Sequence, residues 1–138
     1  MSSHLREREE QIQRTLDLLI QEAAKGTPVI VEGKKDVESL TQIGVEGQII
    51  PAKAGGKSRL DLVCNIEESG VKEVILLFDF DRRGREWTGI VKRQLESVRI
   101  KADLSFWAEL RRFAGKEVKD VEGLFAYMQT LKKKLGEV

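Results

Sequence analysis

The stretch "EVILLFDFDRRGREW", residues 73–87, runs from an unbroken apolar segment into two aspartates one residue apart, then into three arginines around a glycine. The run "VILLF" shows no polar alternation and has the length of a strand. That is the signature of a strand covered on both faces, as in a parallel sheet flanked by helices. Asp79 and Asp81 then stand at the carboxyl end of that strand, the edge where open parallel sheets bind their ligands.

The flanking sequence supplies the rest of the alternation. Upstream, Ile12, Leu16, Leu19, Ile20 and Ala23 recur at helical spacing, and Gly26 with Pro28 closes the segment. "PVIVEG" reads as a short strand and "KKDVESLTQIG" as a helix stopped by Gly44. "GQIIPA" reads as a second strand, and "SRLDLVCNIEESG" as a helix opened by Ser58 with Asp61 and stopped at Gly70. Downstream, Trp87, Ile90, Val91, Leu95 and Val98 keep helical spacing. "VRIKADL" is a fourth strand, and "SFWAELRRF" and "VEGLFAYMQTLKKKL" are C-terminal helices. Strands alternating with helices imply right-handed crossovers and a doubly wound α/β fold with a parallel sheet of about four strands. The expected organisation is an N-terminal amphipathic helix over residues 1–26 and a single domain over residues 27–138 that includes the C-terminal helices.

Bulk composition excludes several classes. A chain of 138 residues fits one domain, and 41% hydrophobic residues suffice for a core. "VILLF" is far too short for a bilayer, and "MSSHLREREE" lacks the apolar segment of a secretory signal, so the expected location is the cytoplasm, with no membrane partner. The single cysteine, Cys64, sits in an apolar pattern and reads as a buried, inert thiol. His4, the only histidine, lies near the terminus, which removes histidine-activated nucleophiles from consideration. Net charge is +1, yet "DRRGREW", "VKRQ", "ELRRFAGK" and "LKKKL" are local basic clusters. They read either as a phosphate-facing patch or as solvated helix faces.

The carboxylates are the more specific signal. The strands "VIV" and "VILLF" end in Glu32 and Asp79 on the same edge of the sheet. Neighbouring strands would bring these residues to about 5 Å. Asp79 and Asp81 flank Phe80, and in extended chain residues two apart project to one side. Like charges at that separation cost ~3 kcal/mol per pair at an effective dielectric near 20. A hard divalent cation, Mg²⁺ or Mn²⁺, would relieve this cost, and such cations share their sites with substrate phosphates. Arg82, Arg83 and Arg85 could hold those phosphates, or could neutralise the aspartates in a structural acid-base network.

The motifs "VIVEGKKD" and "LLFDFDRRG" together resemble those of the Toprim family, whose Rossmann-like domain is shared by topoisomerases, bacterial-type primases, recombination-associated nucleases and the nuclease that matures 5S ribosomal RNA. The resemblance covers roughly residues 27–125. It implies Glu32 as general acid/base, Asp79 and Asp81 as Mg²⁺ (or Mn²⁺) ligands, and Asp36 as a supporting or shared ligand. "VKDVEGL" resembles a third acidic patch of primase-like members and adds Asp120 and Glu122 as weaker metal candidates. Lys34, Lys53, Lys57, Arg82, Arg83 and Arg85 are the cations expected to face nucleic-acid backbone, RNA or DNA. The large additional domains of topoisomerases and primases are missing, and Tyr127 lies on an apolar helical stripe, so a nuclease-like phosphoryl transfer ranks first. A non-catalytic nucleic-acid-binding module within a larger assembly, with a protein partner, is the alternative.

Two further readings compete. "PAKAGGKS", residues 51–58, nearly matches a phosphate-binding P-loop, with Pro51 where the first glycine belongs. "DFDRR" is similar to the D-x-D of aspartate-nucleophile phosphatases, which want Thr or Val where Arg83 stands. Trp87 and Trp107 could stack on bases, but their helical periodicity makes them core residues first.

Overall fold

The computed structural model describes residues 2–53 and 58–136. Four parallel strands, β1 (Val29–Val31), β2 (Ile49–Pro51), β3 (Glu73–Leu76) and β4 (Lys101–Asp103), lie in the order β2-β1-β3-β4. Helix α1 (Ser2–Ala24) precedes β1. Helices α2 (Lys34–Ile43), α3 (Arg59–Glu68) and α4 (Arg82–Ser97) connect successive strands, and α5 (Ser105–Ala114) and α6 (Leu124–Lys134) follow β4. The doubly wound parallel sheet expected from the strand-helix alternation is present, with strands shorter than the apolar runs that carry them.

Strand periodicity divides the core between the two faces of the sheet. Val29, Val31, Ile75 and Leu77 point to one face and pack with α1, α2, α5 and α6; Ile30, Val74, Leu76 and Phe78 point to the other and pack with α3 and α4. The run "VILLF" is buried throughout because helices cover both faces.

Chain direction across the sheet reverses once. From β1 the chain crosses over α2 to the edge strand β2, then returns over α3 past β1 to β3. The switch point therefore lies between β1 and β3, whose register pairs Val29 with Ile75 and Ile30 with Leu76. Two residues past Ile30 and three past Leu76, Glu32 and Asp79 emerge at this point from adjacent strands.

Local signals account for the helix ends. Gly44 stops α2 at φ 119°, a left-handed conformation that favours glycine. Ser58 caps α3 by accepting from Asp61 N–H, while Asp61 accepts from Ser58 N–H at 3.1 Å. Among the residues of "PAKAGGKS", Ser58 is committed to that cap, and residues 54–57, including Lys57, lie outside the described residues.

The expectation of a buried thiol is corrected: Cys64 is exposed. Leu62, Val63 and Ile66 supply the inward face of α3, and the rotation from Val63 to the next residue turns Cys64 to solvent. Tyr127 is half-buried against the core, with its hydroxyl 3.3 Å from Arg8 Nη1. Among the described residues, no helix is long and apolar enough to cross a membrane.

Candidate metal centre

Glu32 leaves β1 buried, and its side chain reaches across to the turn after β3, where Asp79 N–H donates to Glu32 Oε1 at 3.5 Å. Asp36, four residues on, is also buried. Its Oδ2 accepts from Gly33 N–H at 2.9 Å, which ties the first turn of α2 back to the residue after Glu32. The spacing E-G-x-x-D thus builds a turn that presents two carboxyls to one place.

Asp79 completes the group. Burial first, then a side-chain hydrogen bond with Glu32 and the charges of Glu32 and Asp36, push its carboxyl up to about 8, against the lowering pull of Val121 N–H. Val121 donates that bond to Asp79 Oδ1 at 3.3 Å. Asp36 is raised as well, by burial above all and by the charges of Glu32 and Glu122, and lowered by the bond from Gly33. Lys53 Nζ, 3.5 Å from Glu32 Oε2, is the cation that pairs with this cluster.

Asp81 has a different position from Asp79. Past Phe78 the pleat is broken: Phe80 N–H donates to Lys119 O at 2.7 Å, and Phe80 drops into the core cluster of Leu77 instead of that of Phe78. Asp81 then caps α4, its Oδ1 accepting from Gly84 N–H at 2.7 Å. Glu122 stands at the rim beside Asp36 and pairs with Lys35 at 3.8 Å, while Asp120 accepts from Gly123 N–H at 2.8 Å ahead of α6.

The expected backbone-facing cations fall into two groups. Lys53 and Arg83 both lie over the Trp87 ring, 5.4 and 5.5 Å from its centroid, and Trp87 in turn packs edge-on against Phe78. Arg82 pairs with Glu86 at 3.2 Å; Lys34 and Arg85 are exposed.

Three features of the site escaped the sequence reading. Trp107 Nε1–H donates to Phe78 O at 3.0 Å, so α5 braces the turn that carries Asp79. Val121 reaches the same turn from the loop before α6. Gly84 allows α4 to start against it, because a Cβ there would lie 2.0 Å from Asp79 O. Only the last had a visible signal, a glycine inside a helical pattern.

Among the described residues, no group of three or more Asp, Glu, His or Cys side chains is already gathered as a metal-ligand set. The donors nevertheless suit a hard cation. Mg²⁺ is usually held by one or two carboxylates, with waters and substrate oxygens filling the remaining positions.

A parallel α/β protein with buried carboxyls at the switch point of its sheet is the class that fold and site define. The chain belongs to the Toprim domain family, whose model matches residues 27–105. It is 36% identical over 124 residues to the UPF0292 protein of Methanocaldococcus jannaschii, covering 88% of this chain and 94% of the relative. It is also 36% identical over 131 residues to that of Methanosarcina barkeri, covering 95% and 90%. A solved structure of a protein from Aquifex aeolicus superposes with a TM-score of 0.65 at 26% identity, covering 79% of this chain and 94% of that one. Toprim domains generally bind divalent metal ions, and the family associates this chain with metal-dependent, nucleic-acid-related function.

Proposed function

We propose that the protein is a metal-dependent phosphoryl-transfer enzyme of nuclease type, acting on RNA or DNA phosphodiesters. The observation that carries this reading is the meeting of Glu32 and Asp79 across the β1–β3 switch point, with buried Asp36 beside them. Asp79 and Asp36 would hold Mg²⁺ or Mn²⁺, with Asp81 joining from the α4 cap. When bound, the ion supplies charge stabilisation and polarises a phosphodiester oxygen.

The chain's own residues do the rest. Glu32, buried and held by Lys53 and by Asp79 N–H, is placed to take a proton from an attacking water or return one to the departing oxygen. Trp107 and Val121 fix the Asp79 turn from outside the sheet. Lys53 and Arg83, steadied on Trp87, offer positive charge to phosphate oxygens at the mouth of the site.

The test combines Mn²⁺ calorimetry with cleavage of mixed-sequence oligonucleotides. Mn²⁺ binding is expected to disappear in Asp79→Asn, and Glu32→Gln should lower cleavage by about 100-fold or more while Mn²⁺ still binds. Unchanged Mn²⁺ affinity in Asp79→Asn, or unchanged cleavage in Glu32→Gln, would contradict the assignment. The Lys53–Glu32 pair and the Glu32–Asp79 hydrogen bond favour one second reading, a non-catalytic nucleic-acid-binding module whose acidic cluster is internally neutralised. Oligonucleotide binding that survives both metal removal and Asp79→Asn, without turnover, would select it.

A further inference from the structure

A groove of about 390 Å³ runs between the first turn of α4 and the C-terminal end of α5 with its following loop. Its lining includes Phe80, Arg85, Arg111, Arg112, Lys116 and Lys119, and no carboxylate among the described residues. Elsewhere Arg8, Lys35, Arg82 and Lys132 are matched with glutamates. None of the five groove cations makes an ion pair among the described residues, although the chain's net charge is only +1.

Helix electrostatics explain only part of this gathering. Arg111 and Arg112 occupy the last turn of α5, where the helix dipole favours cations. Arg85 stands in the opposite situation: it follows Arg82 and Arg83 in the first turn of α4, where the dipole opposes positive charge, and the one carboxylate at this helix start, the cap Asp81, is bonded to Gly84 N–H. The unpaired guanidinium and ammonium groups themselves call for an external anion.

The guanidinium groups are also held in place. Arg111 lies over the Trp107 ring at 5.5 Å and Arg112 over the Phe113 ring at 5.1 Å, while Lys119 Nζ donates to Gly115 O at 2.7 Å. Cations cover these aromatic faces, so the rings position arginines instead of stacking on bases. Such a surface recognises phosphate and is indifferent to base identity.

The groove is hung on the turn that carries the acidic cluster. Phe80 lines it, Phe80 N–H is bonded to Lys119 O, and Trp107 is bonded to Phe78 O. We propose that it is a track for the phosphodiester backbone of a nucleic-acid strand, holding the segment adjacent to the phosphate at the acidic cluster without reading its sequence. The proposal rests on the nucleic-acid reading above but adds Arg111, Arg112, Lys116 and Lys119, all outside the residues 27–105 that the family model matches.

The experiment measures binding of fluorescein-labelled single-stranded 12-mers, RNA and DNA, by anisotropy in EDTA over a salt series. Wild type is compared with Arg111→Gln/Arg112→Gln/Lys116→Gln, three exposed positions, and with the distant control Lys25→Gln/Lys134→Gln; thermal melts verify that each variant folds. Losing three phosphate contacts should flatten the log-log salt slope by about 2 and weaken binding about 100-fold at 0.1 M salt. The loss should be equal for all sequences, and the control should bind as wild type does. An unchanged slope in the triple variant, a loss that depends on base sequence, or no binding by wild type overturns the track. Mn²⁺ calorimetry on the same triple variant separates the two ideas: retained Mn²⁺ binding with an unchanged salt slope removes the groove alone, and absent Mn²⁺ binding in wild type removes the metal-dependent reading.

Discussion

At the scale of single residues, the site is defined by a carboxyl that burial and its neighbours disfavour as an anion. Asp79 is raised to about 8 from an ordinary 3.8, so between those values the folded protein binds a proton that the unfolded chain does not. Stability of the metal-free protein should therefore fall as pH rises through that window and level off above about pH 8. Asp79→Asn removes the titration while keeping an oxygen to accept from Val121 N–H. In EDTA at pH 8 the variant should be more stable than wild type by on the order of 2 kcal/mol, short of full linkage because solvent reaches the carboxyl. Its melting temperature should also lose most of the decline between pH 5 and 8. Parallel pH profiles for the two proteins would refute the assignment of that proton to Asp79.

At the scale of elements, the decisive contact is the seating of α4 on the turn after β3. Gly84 N–H bonds Asp81 Oδ1, and the absent Cβ leaves room for Asp79 O; an alanine carbon there would also sit 2.6 Å from Asp79 C. Both obstacles are backbone and cannot yield, so Gly84→Ala should displace α4, costing about 3 kcal/mol, read as a lower urea midpoint. A midpoint within error of wild type would mean that the turn can shift freely. Strand-helix alternation was legible from periodicity, and the shared sheet edge of Glu32 and Asp79 from the common direction of parallel strands; that β1 and β3 are neighbours was not, since strand order leaves no periodic signal. The separate path of Asp81 was hidden, since it depends on Phe80 N–H finding Lys119 O, thirty-nine residues away in sequence. The bracing by Trp107 and Val121 was hidden for the same reason: indole and peptide N–H groups leave no pattern that names their acceptors. Cys64 misled because one polar turn position inside an apolar helix looks the same whichever side it faces.

At the scale of the whole molecule, the N-terminal amphipathic helix α1 is a wall of the core. Ile12, Leu16, Leu19 and Ala23 of α1 are at most 1% exposed and share one cluster with Leu110 of α5, Leu124 and Met128 of α6, and Val29 and Val31 of β1. Glu9 is buried against Lys132 at 2.9 Å, a second tie between the ends of the chain. Each large apolar side chain buried here contributes about 1.5–3 kcal/mol, so Ile12, Leu16 and Leu19 alone supply about 4.5–9. A domain of this kind has a total stability of about 5–15 kcal/mol. Residues 27–138 expressed without α1 should therefore lack a cooperative thermal transition and bind a hydrophobic dye, with sheet and helices retained but loosely packed. A synthetic peptide of residues 2–26 added in excess should restore the transition, because the uncovered face is shaped for that helix. A sharp melt of residues 27–138 within a few degrees of the full chain would instead show that the sheet, α2, α5 and α6 close the core by themselves, and that the cover supplied by α1 is dispensable to the acidic site at the carboxyl ends of β1 and β3.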